Sequence, residues 1–119
     1  VTGNVVRLRL VFGDDAMFGP GKADLLRLIG ETGSISAAGR RMGMSYRRAW
    51  GLVEDLNAAF REPLVESARG GPGGGGAVLT QTGRDVLELY RRLESRLERE
   101  GREEIAAIRE RLADMSGRK

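Results

Sequence analysis

Residues 32–57 run Thr32-Gly-Ser-Ile-Ser-Ala-Ala-Gly-Arg-Arg-Met-Gly-Met-Ser-Tyr-Arg-Arg-Ala-Trp-Gly-Leu-Val-Glu-Asp-Leu-Asn57. The apolar spacing predicts two short amphipathic helices joined at Gly43–Met44. Ser34 or Ser36 can cap the first, whose buried side is Ile35, Ala38 and Met42. Ala37, Ala38 and Gly39 are small enough to let another helix cross closely. Ser45 caps the second helix. Its core stripe is Ala49, Leu52, Val53, Leu56 and Phe60, spaced by three and four residues. Tyr46, Trp50 and Asn57 flank that stripe. Trp50 borders it and is expected in the core, whereas Tyr46 reads as well on either side. Arg47, Arg48, Gly51 and Glu54 lie toward the opposite face. A helix-turn-helix uses this pattern to set a helix N-terminus against base edges. The partner it implies is double-stranded DNA.

On both sides the chain extends this unit. Upstream, Val5–Phe12 alternates around Arg7 and Arg9 and predicts a strand with Val6, Leu8 and Leu10 on one face. Arg7 and Arg9 are then expected on a solvated sheet face. Gly13-Asp14-Asp15 ends the strand, and a loop follows through Gly19-Pro20-Gly21. A first helix is expected from Gly21 to Glu31, with Leu25, Leu26, Leu28 and Ile29 inward and Thr32-Gly33 as its stop. Downstream, Glu62-Pro63 ends the second helix of the pair. Leu64–Ala68 and Ala77–Thr80 are expected as two strands around a glycine-rich loop, Arg69 to Gly76. A helix pair followed by such a hairpin is a winged helix-turn-helix. Gly71, Gly73 and Gly76 match the dinucleotide-binding spacing, but the loop leads into a strand rather than a helix, which removes that reading. The loop reads either as a wing tip following the sugar-phosphate backbone or as a hairpin loop without contacts.

Thr80 or Thr82 then caps a long helix reaching Met115. Its apolar seam is Val86, Tyr90, Leu93, Leu97, Ile105, Ile108, Leu112 and Met115, a heptad pattern with one four-residue insertion at Gly101. A helix of about 34 residues spans roughly 50 Å. A body of this size cannot cover it, so a second copy of the chain is the expected cover, with the helices parallel or antiparallel. Gly101 leaves open a break in the helix. The fold class expected is mainly α with a small β-hairpin: a winged helix-turn-helix over residues 1–81, with an N-terminal strand, and a dimerisation helix over residues 82–119.

Composition narrows the chemistry. The 119 residues contain no cysteine and no histidine, which excludes disulfides, thiol catalysis, a histidine base and His/Cys zinc sites. No nucleophile–base pair or metal constellation stands out, so an enzyme is not expected, nor is a cofactor. No apolar run approaches a membrane span, and Val1-Thr2-Gly3-Asn4 has no basic leader character, so a cytoplasmic protein is expected. The net charge is +3, and 18 of the 20 basic residues are Arg, the side chain whose planar fork pairs with phosphate or guanine. Residues 37–61 carry five arginines against Glu54 and Asp55. From residue 83 onward, ten positive and nine negative residues nearly cancel. The excess positive charge thus sits on the helix pair. Arg47 and Arg48 can pair with guanine or clamp phosphate. The full set assigned to DNA is Ser34, Ser36, Ser45, Tyr46, Arg47, Arg48, Gly51, Arg69, Gly73 and Gly74.

Gly33-Ser34-Ile35-Ser36-Ala37-Ala38 and Met44-Ser45-Tyr46-Arg47-Arg48-Ala49-Trp50 resemble the DNA-binding domain of the ModE family of molybdate-responsive regulators. So do Arg61–Glu66, Gly71–Thr80 and Gly83. The domain is also similar to the winged helix of LysR-type regulators. The resemblance covers residues 4–93 and implies a homodimeric bacterial transcription factor on a palindromic operator. It places the start of the recognition helix at Ser45, Tyr46, Arg47 and Arg48, and the wing at Arg69–Gly76. The family's molybdate-binding domains have no room in the charged helix that follows, so no molybdate site is expected in this chain. An architectural DNA binder of low sequence specificity is the competing expectation, and a protein-interaction module built on the long helix is a third.

Overall fold

The computed structural model describes residues 6–14, 16–68 and 76–113. The chain opens with a hairpin: β1 (Leu10–Phe12) pairs antiparallel with β2 (Ala16–Phe18), in the register Leu10↔Phe18, Val11↔Met17 and Phe12↔Ala16. Gly13, at φ +71°, begins the turn. The sequence reading had a strand over residues 5–12 followed by a loop; of the described part only Leu10–Phe12 is strand, and residues 6–9 are not. The return strand is three residues long, too short to show a period.

Three helices follow. α1 (Pro20–Thr32) starts on a proline, whose missing N–H costs nothing at a helix start. Ala23, Leu25, Leu26, Leu28 and Ile29 are buried as the central layer of the core. Gly33 ends it in the left-handed conformation, donating its N–H to the Ile29 carbonyl at 2.8 Å. α2 (Ile35–Arg41) is capped by Ser34, whose Oγ accepts from the Ala37 N–H at 3.0 Å. Gly43 turns the chain at φ +72°. α3 (Tyr46–Ala59) is capped by Ser45, whose Oγ accepts from the Arg48 N–H at 3.1 Å. α2 and α3 cross where Gly39 meets Ala49: a β-carbon on Gly39 would lie 2.8 Å from the Ala49 Cβ. Gly39 is the small residue of α2 that this crossing requires.

α3 ends at Ala59, before the Glu62-Pro63 stop expected of it, because Asn57 captures the returning chain. Its Oδ1 accepts from the Leu64 and Val65 N–H groups (2.8 and 3.1 Å), and its Nδ2 donates to the Val65 carbonyl at 3.0 Å. β3 (Val65–Ala68) and β4 (Gly76–Leu79) then form the second antiparallel hairpin, Val65↔Leu79 through Ala68↔Gly76. Its base is tied to the body: Ala77 N–H donates to the Gly33 carbonyl at 2.9 Å, and Thr80 N–H to the Leu64 carbonyl at 2.9 Å.

The C-terminal part is two helices rather than one. α4 (Gln81–Glu100) is capped by Thr80, whose Oγ1 accepts from the Gly83 N–H at 2.9 Å. α5 (Arg102–Glu110) follows across Gly101, where ψ is +15° and the helical path bends. The bend keeps its hydrogen bonds, Gly101 N–H to Leu97 and Ile105 N–H to Gly101, both 2.8 Å. The helix ends at Glu110, short of the expected Met115, which lies outside the described residues. Among the described residues no helix is long and apolar enough to cross a membrane.

α4 does not leave the body at its first residue. Tyr90, 2% exposed, packs edge-to-face on Phe18 with centroids 5.0 Å apart and donates its hydroxyl to the Leu8 carbonyl. Arg91 bridges Asp24 of α1 at 2.9 Å and Glu94 at 3.0 Å. Burial disfavours that cation, but the two carboxylates more than compensate and raise its pKa. Val6 N–H reaches Glu98 at 3.3 Å. The N-terminal segment is thereby stitched along α4.

Candidate nucleic-acid interface

The start of α3 forms the centre of the site. Ser45 fixes the helix N-terminus by its cap, which leaves Tyr46, Arg47 and Arg48 as the exposed first turn. Neither Arg47 nor Arg48 enters an ion pair among the described residues, whereas Arg27 and Arg41 both reach Glu31. Two unneutralised guanidiniums at a helix N-terminus favour an anionic partner.

Gly51 lies one turn on, and nothing in the chain comes within 4 Å of a β-carbon placed there. Packing therefore does not require the glycine. Ser34 and Ser36 divide two roles the sequence left open: Ser34 caps α2, and Ser36 accepts from the Arg40 guanidinium at 3.1 Å. Arg69, Gly73 and Gly74 lie outside the described residues. The paired wing strands are described as far as Ala68 and from Gly76 onward.

Trp50 corrects the sequence reading. It was expected in the core and is 37% exposed, because the core stripe of α3 is filled by Ala49, Val53 and Leu56. Its ring meets that of Tyr46, 59% exposed, edge-to-face at 6.0 Å and 67°. Both border a cleft of about 490 Å³ between α3, the start of α2 and the wing strands.

Three residues were missed by sequence reasoning. Arg9 and Lys22 share a second cleft with Arg48, on the other flank of α3, and no acidic side chain lines it. Lys22 is held there by donating to the Met17 carbonyl at 2.9 Å. The turn from β2 into α1 brings these cations together, and periodicity carries no signal of it. Asn57 is the third. It flanked the stripe without a role, and it turns out to set the wing against α3.

The face assigned to dimerisation divides in two. Tyr90 is 2% exposed and packs into its own chain's core, whereas Val86 is half-buried and lines an open apolar groove beside it. A heptad pattern records an apolar face but not what covers it. Leu93 is half-buried and lines an apolar groove with Phe12, Phe60 and Leu89. Leu97 (40%), Ile108 (64%) and Leu112 are exposed, and Ile105 is half-buried. Leu89, Val11 and Phe12 add exposed apolar surface that the seam did not include.

Residues 23–84, more than half of the chain, match the model of bacterial regulatory helix-turn-helix proteins of the lysR family. The chain belongs to that family. The matched span runs from the core of α1 through α3 and the wing to the first turn of α4. Among curated proteins, the chain is 45% identical over 80 residues to the molybdenum-pterin-binding protein MopB of Rhodobacter capsulatus, covering 67% of this chain and 30% of that protein. It is 46% identical over 71 residues to the transcriptional regulator ModE of Yersinia pestis, covering 60% of this chain and 27% of that one. The chain thus spans less than a third of the length of these relatives. The resemblance to the ModE domain seen in the sequence is borne out. Among solved structures, the CbnR_DBD-DNA complex aligns with a TM-score of 0.58 and 25% identity, over 74% of this chain and 95% of that one.

Proposed function

We propose that this chain is the DNA-binding part of a transcriptional regulator that recognises a specific, palindromic operator as a homodimer. The observation that carries the reading is the exposed first turn of α3, with Arg47 and Arg48 free of ion pairs among the described residues. Membership of a regulatory helix-turn-helix family supports it, as does likeness to the CbnR_DBD-DNA complex. The exposed Leu97, Ile108 and Leu112 support self-association along α4 and α5. A protein that acts on genomic DNA belongs in the cytoplasm of a bacterium.

The test is selection of genomic fragments by the full chain, then a salt titration on the best one. A palindromic motif preferred about 1000-fold over random duplex is the expected result. Enrichment without a motif, with a steep salt slope on every fragment, would make the chain an architectural binder instead.

A further inference from the structure

We propose that Tyr46 and Trp50 form a thymine-reading corner, taking the 5-methyl groups of thymines in the major groove. The inference rests on the DNA-binding reading above and adds the base class that the site selects.

These rings lie beside the buried stripe of α3 rather than in it. Ala49, Val53 and Leu56 already fill the buried face of α3, each 2% exposed or less. Tyr46, 59% exposed, and Trp50, 37% exposed, forgo part of the burial that usually places such rings. Their edge-to-face contact at 6.0 Å holds each ring by the other, so the apolar corner is formed before any ligand arrives. One turn separates them on α3, and both lie in the half of the helix that starts at the Ser45 cap.

The surroundings fit a duplex seated on the corner. Arg9, Lys22 and Arg48 gather positive charge on one flank of α3. On the other flank the cleft beside the rings is closed by the wing strands at Glu66, Ser67 and Ala68, Glu66 being its one acidic side chain among the described residues. Phosphodiester strands on both sides would bring base edges to the helix between them. Gly51, next to Trp50, leaves open space through which a groove floor can approach.

The chemistry then narrows the base. Hydrogen-bonding donors and acceptors cover the major-groove edges of guanine, adenine and cytosine, whereas thymine adds the C5 methyl. An apolar ring corner gains most from that group.

The experiment uses the duplex best retained by the full chain and replaces each thymidine by deoxyuridine in turn, which deletes the methyl and leaves base pairing intact. We expect affinity to fall about fourfold at each contacted thymine, the size of one buried methyl group. Trp50→Ala or Tyr46→Ala should bind the thymidine and deoxyuridine duplexes equally at those positions. Equal binding of every deoxyuridine duplex by the wild-type chain would overturn the inference while leaving DNA binding intact. So would a Trp50→Ala variant that binds more weakly but keeps the wild-type preference for thymidine over deoxyuridine, which indicates packing on deoxyribose. Retention of no duplex at all would remove the DNA-binding reading and the inference together.

Discussion

A β-carbon on Gly83 would collide with the carbonyl oxygen of Leu64 and lie 3.0 Å from the carbonyl carbon. The first turn of α4 rests on the chain leading into the wing, backbone against backbone, with Thr80 bonded to Pro63 and Leu64 beside it. Gly83→Ala cannot be relieved by rotating a side chain. It should destabilise the fold by about 3 kcal/mol or more, at the upper end for overpacking, measured as a shift in urea midpoint. A loss below about 1 kcal/mol would mean that α4 can slide freely on Leu64.

Gly51 is the opposite case. With open space around it, Gly51→Ala should stabilise the chain by about 0.5–1 kcal/mol through helix propensity. The same methyl stands where the proposed groove floor approaches, so affinity for the selected duplex should drop. A variant that is more stable and binds equally well would place DNA away from this face.

Arg47→Ala with Arg48→Ala should leave stability within about 0.5 kcal/mol, since both side chains are exposed. Where the arginine clamps a phosphate, its removal lowers the salt slope by about 1. Where it pairs with guanine, its removal weakens binding by about 1–3 kcal/mol and relaxes one base position. Unchanged affinity in the double variant would sink the assignment of α3 as the reading helix.

Self-association is addressed by Leu97→Glu combined with Ile108→Glu. Both side chains are exposed in the single chain, so helicity by circular dichroism should be kept. Light scattering should fall from the mass of a dimer to that of a monomer. A wild-type chain that is already monomeric at micromolar concentration would leave no dimer for this face to hold.

Alkaline stability reports on Tyr90. Burial first, and then the Glu94 carboxylate, raise its phenol above the ordinary value of about 10. The folded state holds this proton more tightly than the unfolded chain does. Its contribution is therefore complete below about pH 10 and is lost as pH climbs through the raised value. Tyr90→Phe should lose about 1 kcal/mol near neutrality, with the bond to Leu8. Its stability should then fall less steeply above pH 10 than that of the wild type. Parallel alkaline limbs would argue against the raised value.

Helix beginnings, and the stop of α1 at Gly33, were legible in the sequence because their causes are local. Ser34, Ser45 and Thr80 cap within three residues of themselves, and Gly33 and Gly43 turn the chain where they stand. The exposed first turn of α3 was legible for the same reason. What sequence could not show depends on distant partners. Asn57 acts on residues seven and eight positions away, across a reversal of the chain. Tyr90 carries the period of a seam, yet its partners Leu8 and Phe18 come from the far end of the chain. Trp50 borders an apolar stripe, and only the packed α2–α3 crossing reveals that the stripe is already full.

Asn57 carries a consequence for how such a site can diversify. Its amide is bonded on both ends to the backbone of Leu64 and Val65, so it reads no side chain there. The sequence of the wing can therefore drift without disturbing the joint. The angle between wing and α3 is held more tightly, because a large change of angle strains all three bonds together. If α3 reads bases as proposed, substitutions on its exposed face leave this joint untouched. A different angle between wing and α3 calls for a different residue in place of Asn57.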